Sequence, residues 1–173
     1  TEQDYVQAFD YLLEALPKGG FCIYNKEDKT VAKLASQHLI KETHQDIPYG
    51  TPPMRMKAGQ MEIKLEGQRI PLQVVGAHNA QNVTAAWQVC RRLAVRIEEF
   101  ALHISSFTGA DRRLQKVHED GQRVVFRDFA HAPSKVRASV EAVHQLYRDR
   151  PLTAVLELHT FSSLNKQFLE QYR

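Results

Sequence analysis

Cysteine is scarce in this 173-residue chain: Cys22 and Cys90 are its two, far apart and in apolar surroundings. Neither stands at a metal-ligand spacing, which excludes a disulfide framework and a structural zinc and leaves reduced, buried thiols. No apolar run approaches the ~20 residues a membrane span requires. Thr1 to Asp10 is polar and acidic, so no secretory leader is expected there. A basic run interleaved with aromatics is also missing. The formal charge of +3 is spread along the chain, with only Arg91-Arg92 and Arg112-Arg113 standing out, and this argues against a nucleic-acid partner. No G-x-S-x-G elbow, H-x-x-x-H pair or phosphate-cradling G-x-x-x-x-G-K-[ST] loop occurs.

What is present is ordinary in composition and informative in order. With 43% apolar and 25% charged residues the chain can bury a real core, as one medium domain or two small ones. Residues 3–16 carry Tyr5, Val6, Phe9, Leu12, Leu13 and Leu16 at helical spacing, ended by Pro17-Lys18-Gly19-Gly20. Phe21-Cys22-Ile23-Tyr24 predicts a short buried strand, residues around Val31 to Ala35 a helix, and residues 44–49 another strand. Residues 60–65 and 69–75 flank Glu66-Gly67-Gln68 as a hairpin. A helix after Asn79 should present Val83, Ala86, Trp87, Cys90, Leu93 and Ala94 on one face, and residues 97–104 a further short helix.

Ser105-Ser106-Phe107-Thr108-Gly109 breaks the pattern and is the candidate hinge between two domains. Beyond it the rhythm predicts strand, helix, strand, helix. Residues 114–118 and 123–129 are strands about a turn at Glu119-Asp120-Gly121. Pro133 starts a helix with Val136, Val140, Val143 and Tyr147 along one face. Residues 152–158 are near-continuously apolar, as in a strand buried on both faces of a parallel sheet, and a helix begins at Ser163-Leu164. A βαβ arrangement in an open α/β sheet follows.

Open parallel sheets bind ligands beyond the carboxyl ends of their strands, beside the following helix N-termini. Asp128-Phe129-Ala130-His131-Ala132-Pro133-Ser134 and Glu157-Leu158-His159-Thr160-Phe161-Ser162-Ser163 each put a carboxylate, a histidine and hydroxyls at such an end. Ser134 and Ser163 could equally cap their helices. Gly109-Ala110-Asp111-Arg112-Arg113 adds planar guanidinium donors that suit a phosphate, or else an ion pair with Asp111. In Gly76-Ala77-His78-Asn79-Ala80-Gln81-Asn82 one asparagine can cap the helix. The other keeps an amide that matches the donor and acceptor edge of an adenine. His38, His44, His103, His118 and His144 have no evident convergent partners.

Taken together, Gly76-x-His78-Asn79-x-x-Asn82-x-x-Ala85-Ala86, Gly109-x-x-Arg112-Arg113 and Asp128-Phe129-Ala130-His131-x-Pro133-Ser134 resemble the Mur ligases, ATP-dependent amide-bond-forming enzymes of peptidoglycan assembly, in order and in spacing. The resemblance covers essentially the whole chain. It implies an α/β fold in which residues 1–107 are the later part of a P-loop-type central ATPase domain and residues 108–173 the start of a Rossmann-like C-terminal domain. Asp128-Phe129-Ala130-His131 and Glu157-Leu158-His159-Thr160-Phe161 look most like the branch that joins L-alanyl-γ-D-glutamyl-meso-diaminopimelate to UDP-N-acetylmuramate. The branch that adds L-alanine is its nearest sibling.

By that resemblance Asn79 and Asn82 lie beside the ATP base, Arg113 reaches the phosphates, and Asp128 binds the ribose hydroxyls. His78, His131 and Ser134 line the cleft, and His159, Ser162 and Ser163 stand near the acceptor substrate. Ala132 replaces a histidine common in the family, and Arg127 an acidic residue. ATP and magnesium are the implied cofactors, with the magnesium ligands, the glycine-rich loop and the UDP-sugar domain expected before Thr1. The rest of the C-terminal domain is expected after Arg173. The parent is expected to be cytoplasmic, to work through an acylphosphate, and to bind neither membrane nor nucleic acid. This chain alone is expected to be inactive. A non-catalytic nucleotide-binding module on the same scaffold is the alternative of another class.

Overall fold

The computed structural model describes residues 2–38, 45–57, 59–158 and 169–172. Helix α1 (Glu2–Glu14) lies against α2 (Lys29–His38), and His38 Nε2 and Asp10 Oδ1 meet at 2.6 Å between them. Asp28 starts α2 by accepting from the backbone N–H groups of Thr30 and Val31, both at 3.0 Å, as an N-cap does. The strand β1 (Phe21–Asn25) pairs in parallel with β2 (Gln45–Tyr49), with Ile23 opposite Ile47.

A three-stranded antiparallel sheet follows: β3 (Met54–Lys57), β4 (Gln60–Leu65) and β5 (Gln68–Leu72). Its alternation is clean. Met61, Ile63, Leu65, Ile70 and Leu72 point to the core, while Glu62, opposite Arg55, accepts from that guanidinium at 2.8 Å on the outer face. The hairpin of β4 and β5 was expected; β3 was not, because Met54-Arg55-Met56-Lys57 is exposed throughout and lacks a buried period of two.

Helix α3 (Ala77–Arg92) covers this sheet with Ala80, Val83, Thr84 and Trp87, and Trp87 meets Phe100 of α4 (Ile97–Ile104) at a centroid distance of 5.1 Å. The helix begins at Ala77 rather than after Asn79. It also stops short of Leu93 and Ala94: Leu93 is the C-cap and 72% exposed, and Ala94 turns left-handed at φ 60°. A residue in that conformation ends a helix, so the expected apolar stripe loses its last turn.

Beyond the irregular stretch after α4, β6 (Gln115–Glu119) and β7 (Val124–Arg127) form an antiparallel hairpin with a bulge between Lys116 and His118. The turn between them is an Asp120 turn, accepting from the N–H groups of Gln122 and Arg123 at 2.8 and 2.6 Å. His118 Nε2 also reaches Asp120 at 3.1 Å. The Asp120 carboxyl is held down to about 2 by His118 first and by those backbone donors. His38 and His118 thus do have acidic partners, which spacing alone did not reveal.

The β6–β7 hairpin is antiparallel, as so short a turn requires, while the parallel βαβ pairing expected between residues 123–129 and 152–158 is not formed among the described residues. Residues 152–158 are not a buried strand either. They form no strand and pair with none of the described strands, and Val155 is 96% exposed. Helix α5 (Pro133–Leu146) buries Ala142 fully, whereas Val136, Val140, Val143 and Tyr147 are half-buried. Cys22 and Cys90 are free thiols, half-buried rather than fully so, and burial pushes the Cys22 thiol up. The helix expected from Ser163 falls mostly outside the described residues, which resume in a short 3-10 turn at Glu170–Tyr172. No described helix is long and apolar enough to cross a membrane.

One core cluster joins the two parts. It runs through β4, β5, α3 and α4, and takes Ala142 from α5. Ala142 can enter because the opposing residue is Gly76, where a β-carbon would stand 2.8 Å from the Ala142 methyl.

Candidate functional site

Between α3 on one side and the segment after Gly109, the end of β7 and α5 on the other lies a cleft of about 800 Å³. Its apolar wall is made by Val74, Val83, Ala86, Ile104, Phe107 and Leu114, and its polar groups come from both sides of residues 105–109.

The α3 side is built by the strand-to-helix turn after β5. Gly76 is the N-cap, at φ 91° and ψ 151°, a region only glycine occupies freely, and its carbonyl accepts from Asn79 N and Ala80 N at 3.1 Å each. Neither asparagine therefore caps the helix, against expectation; the backbone turn at Gly76 has already done so. Asn79 instead sits in the first turn and spends its amide Nδ2 on the Val75 carbonyl at 2.8 Å. Asn82, one turn further and exposed, lines the cleft. His78 is half-buried beside them. Burial lowers its pKa below the ordinary 6.5, with the Asp128 carboxylate pulling the other way, so the ring is neutral at pH 7.

The facing wall is shaped by a backbone of unusual conformation. Gly109 has φ 99°, and Arg112 and Leu114 are left-handed at φ 54° and 46° on either side of Arg113. Left-handed non-glycine residues cost about 1 kcal/mol or more each and persist where their surroundings hold them. Here Phe129 N donates to the Arg112 carbonyl at 2.9 Å, tying this segment to the residue that follows Asp128. Arg113 extends over the Phe129 ring, its Cζ 5.7 Å from the centroid, and lines the cleft. Asp111 takes Arg112 and Arg127 instead, at 3.7 and 3.5 Å. Asp128, half-buried and the first residue past β7, accepts a hydrogen bond from Ser139 Oγ.

Helix α5 has Ala132 as its N-cap, with no side-chain cap, and Pro133 in its first position, so Ser134 does not cap it. Ser134, Lys135, Ala138 and Ser139 form one face, one turn apart, and that face is a cleft wall. Lys135 and Ser139 were missed; the four-residue spacing of polar and small residues opposite the valines was the available signal.

The cleft thus gathers His78, Asn79, Asn82, Arg113, Asp128 and Ser134. His131 is not on its wall. The ring turns back on its own loop, Nδ1–H donating to the Phe129 carbonyl at 2.9 Å, and the His131 carbonyl accepts from the Tyr172 hydroxyl. His159, Ser162 and Ser163 lie outside the described residues. A network behind α3 was also missed. Glu27 accepts from Thr51 N, Thr51 Oγ1 and Gln81 Nε2 at 2.8, 2.7 and 2.8 Å, and anchors the first turns of α3 to the loop after β2. The Thr51 hydroxyl and N–H hold that carboxyl below its usual range.

The donor set suits a nucleoside phosphate. An apolar wall can take a base, Asn82 offers a donor and an acceptor, Asp128 can accept from sugar hydroxyls, and Arg113 and Lys135 are cations. Asp128 is the only carboxylate on the described wall and is already engaged by Ser139, so these residues do not make a magnesium site. Away from the cleft, Asp10, Glu14 and His38 bring their ligand atoms within 4.8 Å of one another.

No protein-family model matches the chain. It is similar to a UDP-N-acetylmuramate–L-alanine ligase from Aquifex aeolicus, 28% identical over 170 residues, covering 90% of this chain and 36% of the relative. A UDP-N-acetylmuramate–L-alanine ligase from Paenarthrobacter aurescens is 30% identical over 181 residues, covering 99% of this chain and 39% of the relative. The chain therefore spans less than two-fifths of the length of these two relatives. Among solved structures, MurF from Acinetobacter baumannii superposes with a TM-score of 0.67 at 20% identity, over 87% of this chain and 34% of its own. Folylpolyglutamate synthetase from Lactobacillus casei gives 0.62 at 13%, over 87% and 41%. The UDP-N-acetylmuramate-alanine ligase MurC from Thermotoga maritima gives 0.63 at 19%, over 86% and 35%. These structures share the mixed α/β fold.

Proposed function

We propose that this chain, whose relatives and structural neighbours support a place in the Mur ligase family, supplies the nucleoside-binding walls of an ATP-dependent ligase of peptidoglycan assembly. The observation that carries this reading is the meeting of Asn82, Arg113 and Asp128 on one cleft. Asn82 reads the adenine edge, with Asn79 holding the turn that presents it. Asp128 takes the ribose hydroxyls, and Arg113 closes on the phosphates from the far side of the hinge stretch. In this reading residues 1–107 are the later part of the central ATP-binding domain and residues 108–173 the start of a Rossmann-like domain.

ATP supplies the phosphoryl group that activates a substrate carboxylate, and a peptide or amino-acid amine displaces it. The contribution of this chain is positioning and charge neutralisation, the main terms in phosphoryl transfer. Magnesium would be held by residues outside this cleft wall. In this reading His131, whose ring bonds the Phe129 carbonyl, is assigned no nucleotide contact.

The acceptor is the finer question. Asp128-Phe129-Ala130-His131 and Glu157-Leu158-His159-Thr160-Phe161 favour murein peptide ligase, which joins L-Ala-γ-D-Glu-meso-diaminopimelate to UDP-N-acetylmuramate. The relatives' names favour L-alanine instead. Phosphate release from ATP, measured on an intact cytoplasmic enzyme that contains this chain, decides between them. Release that requires UDP-N-acetylmuramate and the tripeptide supports the first, and stimulation by L-alanine alone the second. Nucleotide binding with no release under any pairing would leave a binding module.

A further inference from the structure

We propose that Ser139 is the positioning residue of the Asp128 carboxylate, and that through it the cleft selects ribonucleotides over deoxyribonucleotides. The inference rests on the nucleotide reading above and adds a residue to it. Asp128 lies just past β7, in the irregular link before α5, so no regular backbone ladder fixes its side chain. Ser139 stands on the second turn of α5, eleven residues on, and its Oγ donates to Asp128 Oδ2. Both line the cleft. Among the described residues no other donor bonds this carboxylate.

A free carboxylate would swing about its Cβ–Cγ bond toward the cations that share the cleft, Arg113 and Lys135. The Ser139 hydroxyl engages Oδ2 and sets the plane, leaving Oδ1 and the remaining lone pair of Oδ2 for a vicinal diol. A ribose offers two hydroxyl donors to such an edge; a deoxyribose offers one. Pinning the acceptor in advance avoids ordering it at the moment of binding, which is why a residue that never touches the sugar can set the preference for it.

The test is equilibrium binding of ATP, 2′-deoxy-ATP and 3′-deoxy-ATP to the full chain and to Ser139→Ala, Ser139→Thr and Asp128→Ala. In Ser139→Ala the preference for ATP over either deoxynucleotide should fall about fivefold, the worth of one net hydrogen bond of about 1 kcal/mol. Affinity for the deoxynucleotides should change less than about twofold on the same scale. Ser139→Thr, which keeps the hydroxyl, should restore the preference. An equal loss for all three nucleotides would show a structural role only and overturn the proposal. So would an unchanged ratio in Ser139→Ala alongside a collapsed ratio in Asp128→Ala, which leaves the ribose reading standing. An unchanged ratio in Asp128→Ala, or no nucleotide binding at all, defeats both.

Discussion

The methyl of Ala142 on α5 stands 2.8 Å from where a β-carbon on Gly76 would lie, so the N-terminus of α3 and the middle of α5 are in contact through a glycine. That contact sets the distance between the two walls of the cleft. Gly76→Ala should fail twice, once through its φ of 91° and once through the clash. Together these are expected to lower stability by about 2–4 kcal/mol. Ala142→Gly alone should cost about 1 kcal/mol, as a glycine inside a helix does. Measured against it, the double variant should recover the Ala142 part of the clash and leave the backbone share and the tight approach to the His78 ring. Urea denaturation of the two single variants and the double variant measures this. An unchanged midpoint in Gly76→Ala would contradict the geometry.

The two asparagines should separate by assay. Asn79 donates to the backbone carbonyl of Val75, a buried residue. Asn79→Ala leaves that acceptor without its donor and should cost about 1 kcal/mol of stability. Asn82→Ala should leave stability unchanged and weaken ATP binding roughly tenfold while sparing ITP, whose base presents a different edge. Equal effects of both variants on binding and on stability would erase the distinction between them.

This division of labour marks where sequence reasoning reaches its limit. Hydrophobic period and the Glu66-Gly67 turn are local, and each produced the expected element at nearly the expected place. That Asn82 and Asp128 would share a cleft was legible too, because each stands where a strand end is followed by a helix start. What escaped depended on neighbours. Asn79 reads as a cap until Gly76 is seen to turn the chain first. Ser139 looks like one more small helical residue until the link after β7 brings Asp128 to it. The apolar run 152–158 has the composition of a strand but no strand partner among the described residues, which no local pattern can supply.

The neutral state of His78 gives stability a pH dependence of defined sign. Its folded pKa lies below the ordinary 6.5, chiefly through burial. As pH falls below that value the unfolded chain takes up a proton that the folded one refuses, so the contribution to stability is whole above about 6.5 and shrinks below it. His78→Gln should therefore lose less stability between pH 7.5 and pH 5.5 than the unaltered chain loses. Denaturant midpoints at the two pH values report the difference, and a wild-type chain no more acid-sensitive than the variant would refute it.

Arg113 carries the last and strongest expectation. It is held by its surroundings before any ligand arrives: left-handed residues flank it, Phe129 lies beneath it, and the Phe129 N–H bonds the carbonyl of Arg112. Such a preset cation costs little reorganisation when negative charge grows on a transferring phosphoryl group. In an intact enzyme containing this chain, Arg113→Ala should lower turnover about 10²–10³-fold. ATP affinity should fall by no more than about tenfold, because the base and ribose contacts survive. Arg113→Lys should recover affinity better than turnover, since an ammonium keeps the charge but loses the planar fork. Steady-state kinetics beside equilibrium binding separate the two quantities. If turnover in Arg113→Ala fell only in proportion to affinity, Arg113 would be a binding residue and not a group that acts on the reacting phosphate.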